Sequence, residues 1–325
     1  MDGAVGGGGA EGELTAQETA LYDRQIRVWG VDAQKKLSKA HVLVCGMNGT
    51  TIEFCKNIVL AGVGSLSLMD DHMVTEDDLN ANFLIPPDES IYGGRSRAEV
   101  CCESLKDFNP MVRVSVEKGD PSLIDGEFLD KFDIVVVSGA SLKIKLFIND
   151  NCRKRSKRIA FYAIDCKDSC GEIFIDLQKH SFVQKKPGGD TEQQELTYPS
   201  LQEAISVPWN NLPRKTTKLY FAMRGCSPGE TTLSDIPAVL ARMKDMCNKM
   251  SLNESHIPAA LMERLLAAGK KEHPPVCAIL GGILGQEVIK SISCKGDPIK
   301  NFFYFDAADG KGVSEDIPTP HPSAN

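Results

Sequence analysis

Apolar and polar positions alternate along the chain in blocks that change period from strand-like to helix-like and back. The apolar stretch His41–Val44 reads as a buried strand. Similar short runs recur at about 65–69, 112–116, 133–137 and 159–165, and helical patterns fill about 50–61, 95–107 and 141–155 between them. Strands joined by crossover helices predict an α/β fold with a mainly parallel sheet covered on both faces. DIVVV at 133–137 is continuously apolar, as a central parallel strand requires. Upstream, Thr15 and Glu18 are spaced as a capping box. It opens a helix through about Val28 that Gly30 ends, and a short helix near 32–39 follows. Residues from about 178 to 272 begin polar and loop-rich, around Pro187-Gly188-Gly189, then turn helical near 234–250 and 257–270. The α/β pattern returns with PVCAILGGILGQEVIKSI, a long apolar helix carrying Gly281, Gly282 and Gly285. Each helical glycine costs about 1 kcal/mol against alanine, which close helix packing would explain. A strand at Phe302–Asp306 follows. The expected organisation is a glycine-rich loose tail over 1–13, one α/β fold over 14–177 plus 273–310, a partly helical insertion over 178–272, and a loose tail over 311–325.

Composition narrows the function classes. Apolar content is 42%, charged content 25% and net charge −7 over 325 residues, so nothing points to nucleic acid. No uninterrupted apolar stretch suggests a membrane span, and the N-terminus lacks the basic and apolar regions of a signal peptide. Eleven cysteines without a secretory signal favour reduced thiols in cytosol or nucleus. There is no C-x-x-C; Cys166-x-x-x-Cys170 and Cys101-Cys102 lack partners at zinc-finger spacing, and no metal site is expected. The basic run Arg153-Lys154-Arg155-Ser156-Lys157-Arg158 reads as a helix C-terminus complementing its dipole, with a nuclear import signal as the alternative.

The most informative stretch is HVLVCGMNGTTI at 41–52. Strand, Gly46, Gly49 and helix form the turn that offers backbone N–H groups to phosphate. A G-x-G-x-x-G turn would place glycine at 48 and 51, where this chain has Asn48 and Thr51. The scaffold of a nucleotide site is present with its glycines lost. On the first helix, Arg24 and Arg27 share a face.

YDRQIRVWG, the altered glycine turn, the acid at Asp70, PVCAILGGILGQEVIK and the final FFYFDAADG occur in one order. Together they resemble the ubiquitin-like-modifier activating enzymes, the MoeB/ThiF superfamily, over about residues 15–180 and 273–310. The resemblance implies a Rossmann-like ThiF/MoeB adenylation fold that pairs with a second such fold. It also implies that an arginine on the first helix completes the neighbour's adenylation site, and Arg24 within YDRQ matches it.

The family's own-site residues do not carry over. Asp70 matches the ribose acid, but His72 stands for the second acid, Asp78 for an asparagine, Ala81 for the phosphate arginine and Asn82 for a glutamine. Ala140 and Ser141 stand where the Mg²⁺ aspartate belongs, and Lys145 where the family has an arginine. A hard cation needs oxygen ligands that alanine cannot supply. Cys226 and Cys247 in the 178–272 insertion sit in no motif for a thioester-forming cysteine. The resemblance therefore implies a small, non-catalytic subunit that binds no cofactor of its own. Its obligate partner would be a large cysteine-bearing subunit holding ATP and Mg²⁺, and the modifier would be met only indirectly. Length and pattern are most similar to the SUMO-activating branch; the Nedd/Rub counterpart carries a longer insertion. A homodimeric sulfur-carrier adenylyltransferase would keep the glycine loop, the metal aspartate and often zinc cysteines. A dehydrogenase would not explain YDRQIR. A nuclear location, with cytoplasm as second choice, is the matching expectation.

Overall fold

The computed structural model describes residues 14–318 apart from 187–188, 226–235, 251, 254–255 and 270. The tail expected over 1–13 and residue Cys226 lie outside the described residues. The chain opens with α1 (Ala16–Leu21), α2 (Asp23–Trp29) and α3 (Val31–Leu37). It continues through β1 (His41–Cys45), α4 (Gly49–Ala61), β2 (Ser65–Met69), α5 (Arg97–Lys106), β3 (Arg113–Val116), α6 (Gly126–Leu129), β4 (Ile134–Ser138), α7 (Leu142–Arg153) and β5 (Ala160–Lys167). Then come β6 (Cys170–Asp176), β7 (Lys179–Lys185), β8 (Thr191–Thr197), α8 (Leu201–Ile205), α9 (Lys218–Gly225), α10 (Ile236–Lys249), α11 (Ala259–Ala268), α12 (Pro274–Ser293), β9 (Phe302–Asp306) and β10 (Lys311–Glu315).

Among the described residues the main sheet has eight strands in the order β10-β9-β6-β5-β4-β1-β2-β3. Pairs from β5 to β3 are parallel, as the alternating pattern requires, and β6, β9 and β10 extend the sheet antiparallel. Strand alternation divides the interior into two cores. Val42 and Val44 face one of them with α4, α5 and α12; Leu43 and Cys45 face the other with α7 and α9. The order of strands reverses between β1 and β4, the switch point where open α/β sheets bind ligands.

Three expectations need correction. The first helix is interrupted at Tyr22, because that side chain turns inward. Tyr22 is buried, its hydroxyl accepts from Asn109 Nδ2 at 2.8 Å, and its ring lies against Gly62. Among its described residues, the segment 178–272 does not build a core of its own. Trp209, Phe221, Met243 and Met262 pack in the same core as Phe161, Phe174 and Phe302 of the sheet. Finally, the tail expected over 311–325 begins as strand β10, whose backbone pairs with β9, and Ile317 is buried. Residues 319–325 lie outside the described residues.

Helix α12 is long and apolar enough to cross a membrane by length and composition, yet it runs inside the fold against α3, α4, β5 and β6. A Cβ at Gly281 would lie 2.6 Å from Glu53 Cβ and 2.8 Å from Phe54 N, so close packing on α4 explains that glycine. It does not explain Gly282, where a Cβ would meet nothing within 4 Å.

The basic run is largely occupied within the fold. Arg153 pairs with Asp176, Lys154 with Asp150, Arg155 with Asp130 and Lys157 with Asp133. Arg158 reaches the Leu177 carbonyl and the His180 ring. His180 is buried and stacked on Phe182, and burial, helped by Arg158, holds its pKa down to about 4 from 6.5. The unfolded chain therefore binds this proton more tightly than the folded one. This contribution is complete above pH 6.5 and is lost as pH falls toward 4, by up to about 3 kcal/mol. Urea unfolding of His180→Phe between pH 7 and 4.5 should show a shallower loss of stability than the wild type. An identical slope would refute the assignment.

Candidate functional site

The switch point is built on backbone that admits only glycine at its first position. Gly46 has φ +91°, and a Cβ there would sit 2.3 Å from the Ser138 carbonyl oxygen. Helix α4 then starts at Gly49 with Asn48 as its cap. Asn48 Oδ1 accepts from Thr51 N–H at 3.1 Å, and Thr51 Oγ1 accepts from Asn48 N–H at 3.0 Å. The two positions that lost glycine thus form a reciprocal capping box, which satisfies N–H groups that a phosphate would otherwise use. Asn48 Nδ2 also donates to Ser138 Oγ at 2.7 Å, bridging the ends of β1 and β4.

The remaining donors are occupied by a carboxylate from the loop before α12. Glu272 Oε2 accepts from Gly49 N–H at 2.6 Å. Its Oε1 accepts from the Thr50 hydroxyl at 2.6 Å and from Thr50 N–H at 3.4 Å. An anion at a helix N-terminus is favoured by the orphan N–H groups and the dipole together. Burial pushes the Glu272 carboxyl up, and the Thr50 and Gly49 donors pull it back. A bridge between Asp168 and Glu272, with Asp168 N–H on the Lys271 carbonyl at 2.8 Å, fixes the loop. Sequence reasoning placed residue 272 at the end of the insertion and missed this role; no local signal marks a contact made across more than two hundred residues.

The other own-site positions are likewise committed to the fold. Asp70 is buried and accepts from Met47 N–H at 2.8 Å and His72 N–H at 3.0 Å, with His72 Nδ1 at 2.7 Å. Arg97 lies 3.9 Å from Asp70 and pairs with Asp78 at 2.9 Å. Ala81 packs over the helix start, where a Cβ at Gly49 would lie 2.7 Å from its own Cβ. Asn82 is buried, donates to the Met47 carbonyl at 3.2 Å and accepts from Leu84 N–H. Ser141 caps α7 by accepting from Ile144 N–H, Ala140 offers no ligand atom, and Lys145 is paired with Asp165. Mg·ATP does not fit this set: its phosphate seat holds a carboxylate, and the nearby cations and acids already serve one another.

Arg24 stands elsewhere, on α2. Tyr22 and Gln25 fasten that helix to the fold, the latter through Gln25 Nε2 donating to the Leu60 carbonyl at 3.0 Å. Arg27 is tied to Asp23 at 2.8 Å, whereas Arg24 is exposed and has no ion-pair or hydrogen-bond partner among the described residues. A groove of about 260 Å³ between α2, α4 and α12 is lined by Gln25, Trp29, Asn57, Leu60, Gly282 and Gly285. Leu60 in its lining is 44% exposed, and Val28, also on α2, is 81% exposed. As for a thioester nucleophile, Cys247 is buried on α10, and Cys226 lies outside the described residues.

Comparison with known proteins agrees with this geometry. The ThiF family matches residues 22–325. SUMO-activating enzyme subunit 1A of Arabidopsis thaliana is 60% identical, across 94% of this chain and 97% of its own length. SUMO-activating enzyme subunit 1 of Homo sapiens is 31% identical, again across 94% and 97%. With Rossmann-like topology, an altered turn and full-length similarity in agreement, the chain belongs to the ThiF family, in its branch of SUMO-activating enzyme subunit 1 proteins.

Proposed function

We propose that this chain is the non-catalytic small subunit of a heterodimeric SUMO-activating enzyme. Paired with a large, cysteine-bearing subunit, it supports ATP-dependent adenylation of the SUMO C-terminal glycine and thioester formation on the partner's cysteine. This is the first step of sumoylation. ATP and Mg²⁺ are held by the partner, and this chain supplies Arg24 to that site. SUMO meets this chain only indirectly. A nuclear location, with cytoplasm as second choice, belongs to the same reading.

One observation carries the reading. Glu272 occupies the phosphate seat of this fold, so the unpaired guanidinium of Arg24 has no nucleotide of its own chain to serve. Adenylyl transfer needs Mg²⁺ and cationic donors around the developing charge, and the own-site cations here are spent on Asp70, Asp78 and Asp165. The isolated subunit is therefore expected to show no heat of Mg·ATP binding at micromolar concentrations and no ATP–pyrophosphate exchange, with exchange appearing when the large subunit is added. A micromolar Mg·ATP site in the isolated chain would overturn the proposal.

A further inference from the structure

The altered turn holds a second constellation that the adenylation reading leaves unused. Cys166 near the end of β5, Cys277 in the first turn of α12 and Glu272 in the loop between α11 and α12 converge. Their two Sγ atoms and a carboxylate oxygen all lie within 4.8 Å of one another. Both cysteines are free and buried. The Thr50 hydroxyl is 3.6 Å from Cys277 Sγ, and the Cys166 thiol donates to the Asp168 carbonyl at 3.4 Å. Two segments distant in sequence, one at Cys166 and one over Glu272–Cys277, supply the donors, which is why no Cys spacing announces them.

We propose that Cys166, Cys277 and Glu272 form a binding site for a soft divalent cation, with zinc as the member this donor set selects. Two thiolates and one carboxylate are zinc ligands, and sulfur donors select against magnesium and calcium. With Zn–S near 2.3 Å and Zn–O near 2.0–2.2 Å, tetrahedral ligands stand roughly 3.5–4 Å apart, which is compatible with the observed limit. Three protein ligands leave the fourth position to water. Glu272 can serve the turn and a cation together: Gly49 N–H takes one lone-pair site of Oε2, and the other is left. On binding, each S–H bond breaks as an S–metal bond forms, and two protons pass to solvent with no change of oxidation state. The ion would then tie β5, the start of α4 and the start of α12 to a single point. This inference is independent of the proposed function.

The full-length chain, stripped with a chelator and titrated with Co²⁺ as the optical probe, tests it. One equivalent should give thiolate-to-cobalt charge-transfer absorption in a tetrahedral pattern, and Zn²⁺ should displace it. Cys166→Ser and Cys277→Ser should each weaken binding by more than the roughly 10–100-fold typical of outer-shell partners. Glu272→Gln keeps both thiols and the side-chain shape and should weaken it as well. Cys294→Ser, which removes the one cysteine not buried among the described residues, should change nothing. No charge-transfer band at one equivalent, or a band that survives both Cys166→Ser and Cys277→Ser, would overturn the proposal and leave the two thiols as packing groups.

Discussion

Arg24→Ala, assembled with a wild-type large subunit, is expected to slow adenylation of the modifier by roughly tenfold to a thousandfold while leaving the heterodimer intact. Arginines inserted into phosphoryl-transfer sites are worth about 10³–10⁵ in rate. A smaller value is expected here because the proposed site keeps cations of its own. The local geometry makes the test clean. Tyr22 and Gln25 anchor α2, so the helix does not depend on residue 24, and Arg24 has no partner among the described residues to lose. A guanidinium is permanently charged and can fork across two phosphate oxygens. Arg24→Lys should therefore rescue only in part. Arg27→Ala is the control, since Arg27 is already tied to Asp23 at 2.8 Å. Rates of pyrophosphate exchange and of thioester formation on the partner read the effect directly. Wild-type rates in Arg24→Ala would remove the residue from its assigned role.

The parts of the fold that were legible in the sequence are those whose burial dictates composition. Ile134–Ser138 is buried at every position, so the strand reads as an apolar run. Ser65–Met69, SLSLM, is equally buried beside the edge strand β3 and reads through the alternation of its Leu and Ser residues. The hairpin of β7 and β8 escaped because β8, TEQQELT, is largely exposed and carries almost no apolar alternation. Its structure comes from backbone pairing with β7, including Lys179 with Thr197 and Lys185 with Thr191. Strand β10 escaped for the same reason: four of its five residues are exposed, and its edge position is set by β9. The break at Tyr22 is a tertiary event, a side chain drawn to Asn109 at the expense of a continuous helix. At the candidate site, the loss of glycine at Asn48 and Thr51 could be read from spacing, but what replaced the phosphate could not. Glu272 reaches the turn from a loop whose own sequence has no periodicity, and Cys166 and Cys277 meet only because β5 and α12 are neighbours.

Gly282→Glu is expected to separate the two subunits while leaving this chain as stable as before, or slightly more so. Helices α2 and α12 are the proposed contact elements, and a groove runs between them with Gly282 on its wall. A Cβ at Gly282 meets nothing within 4 Å, so a glutamate fits the isolated fold, and replacing a helical glycine gains up to about 1 kcal/mol in propensity. In the assembly the same carboxylate would be buried without a partner. Uncompensated buried charge costs about 3–5 kcal/mol, which corresponds to a weakening of association by roughly 100-fold to several thousandfold. Leu123→Glu is the matched control. Leu123 is 80% exposed and lies beside α7, on the opposite face of the sheet from α4 and α12, so it should leave association unchanged. Sedimentation or calorimetry of the mixed subunits measures the first effect, and urea unfolding of the isolated chain measures the second. Retention of wild-type affinity in Gly282→Glu would mean that the partner docks elsewhere, and with it Arg24 would lose the position from which it could reach the partner's nucleotide.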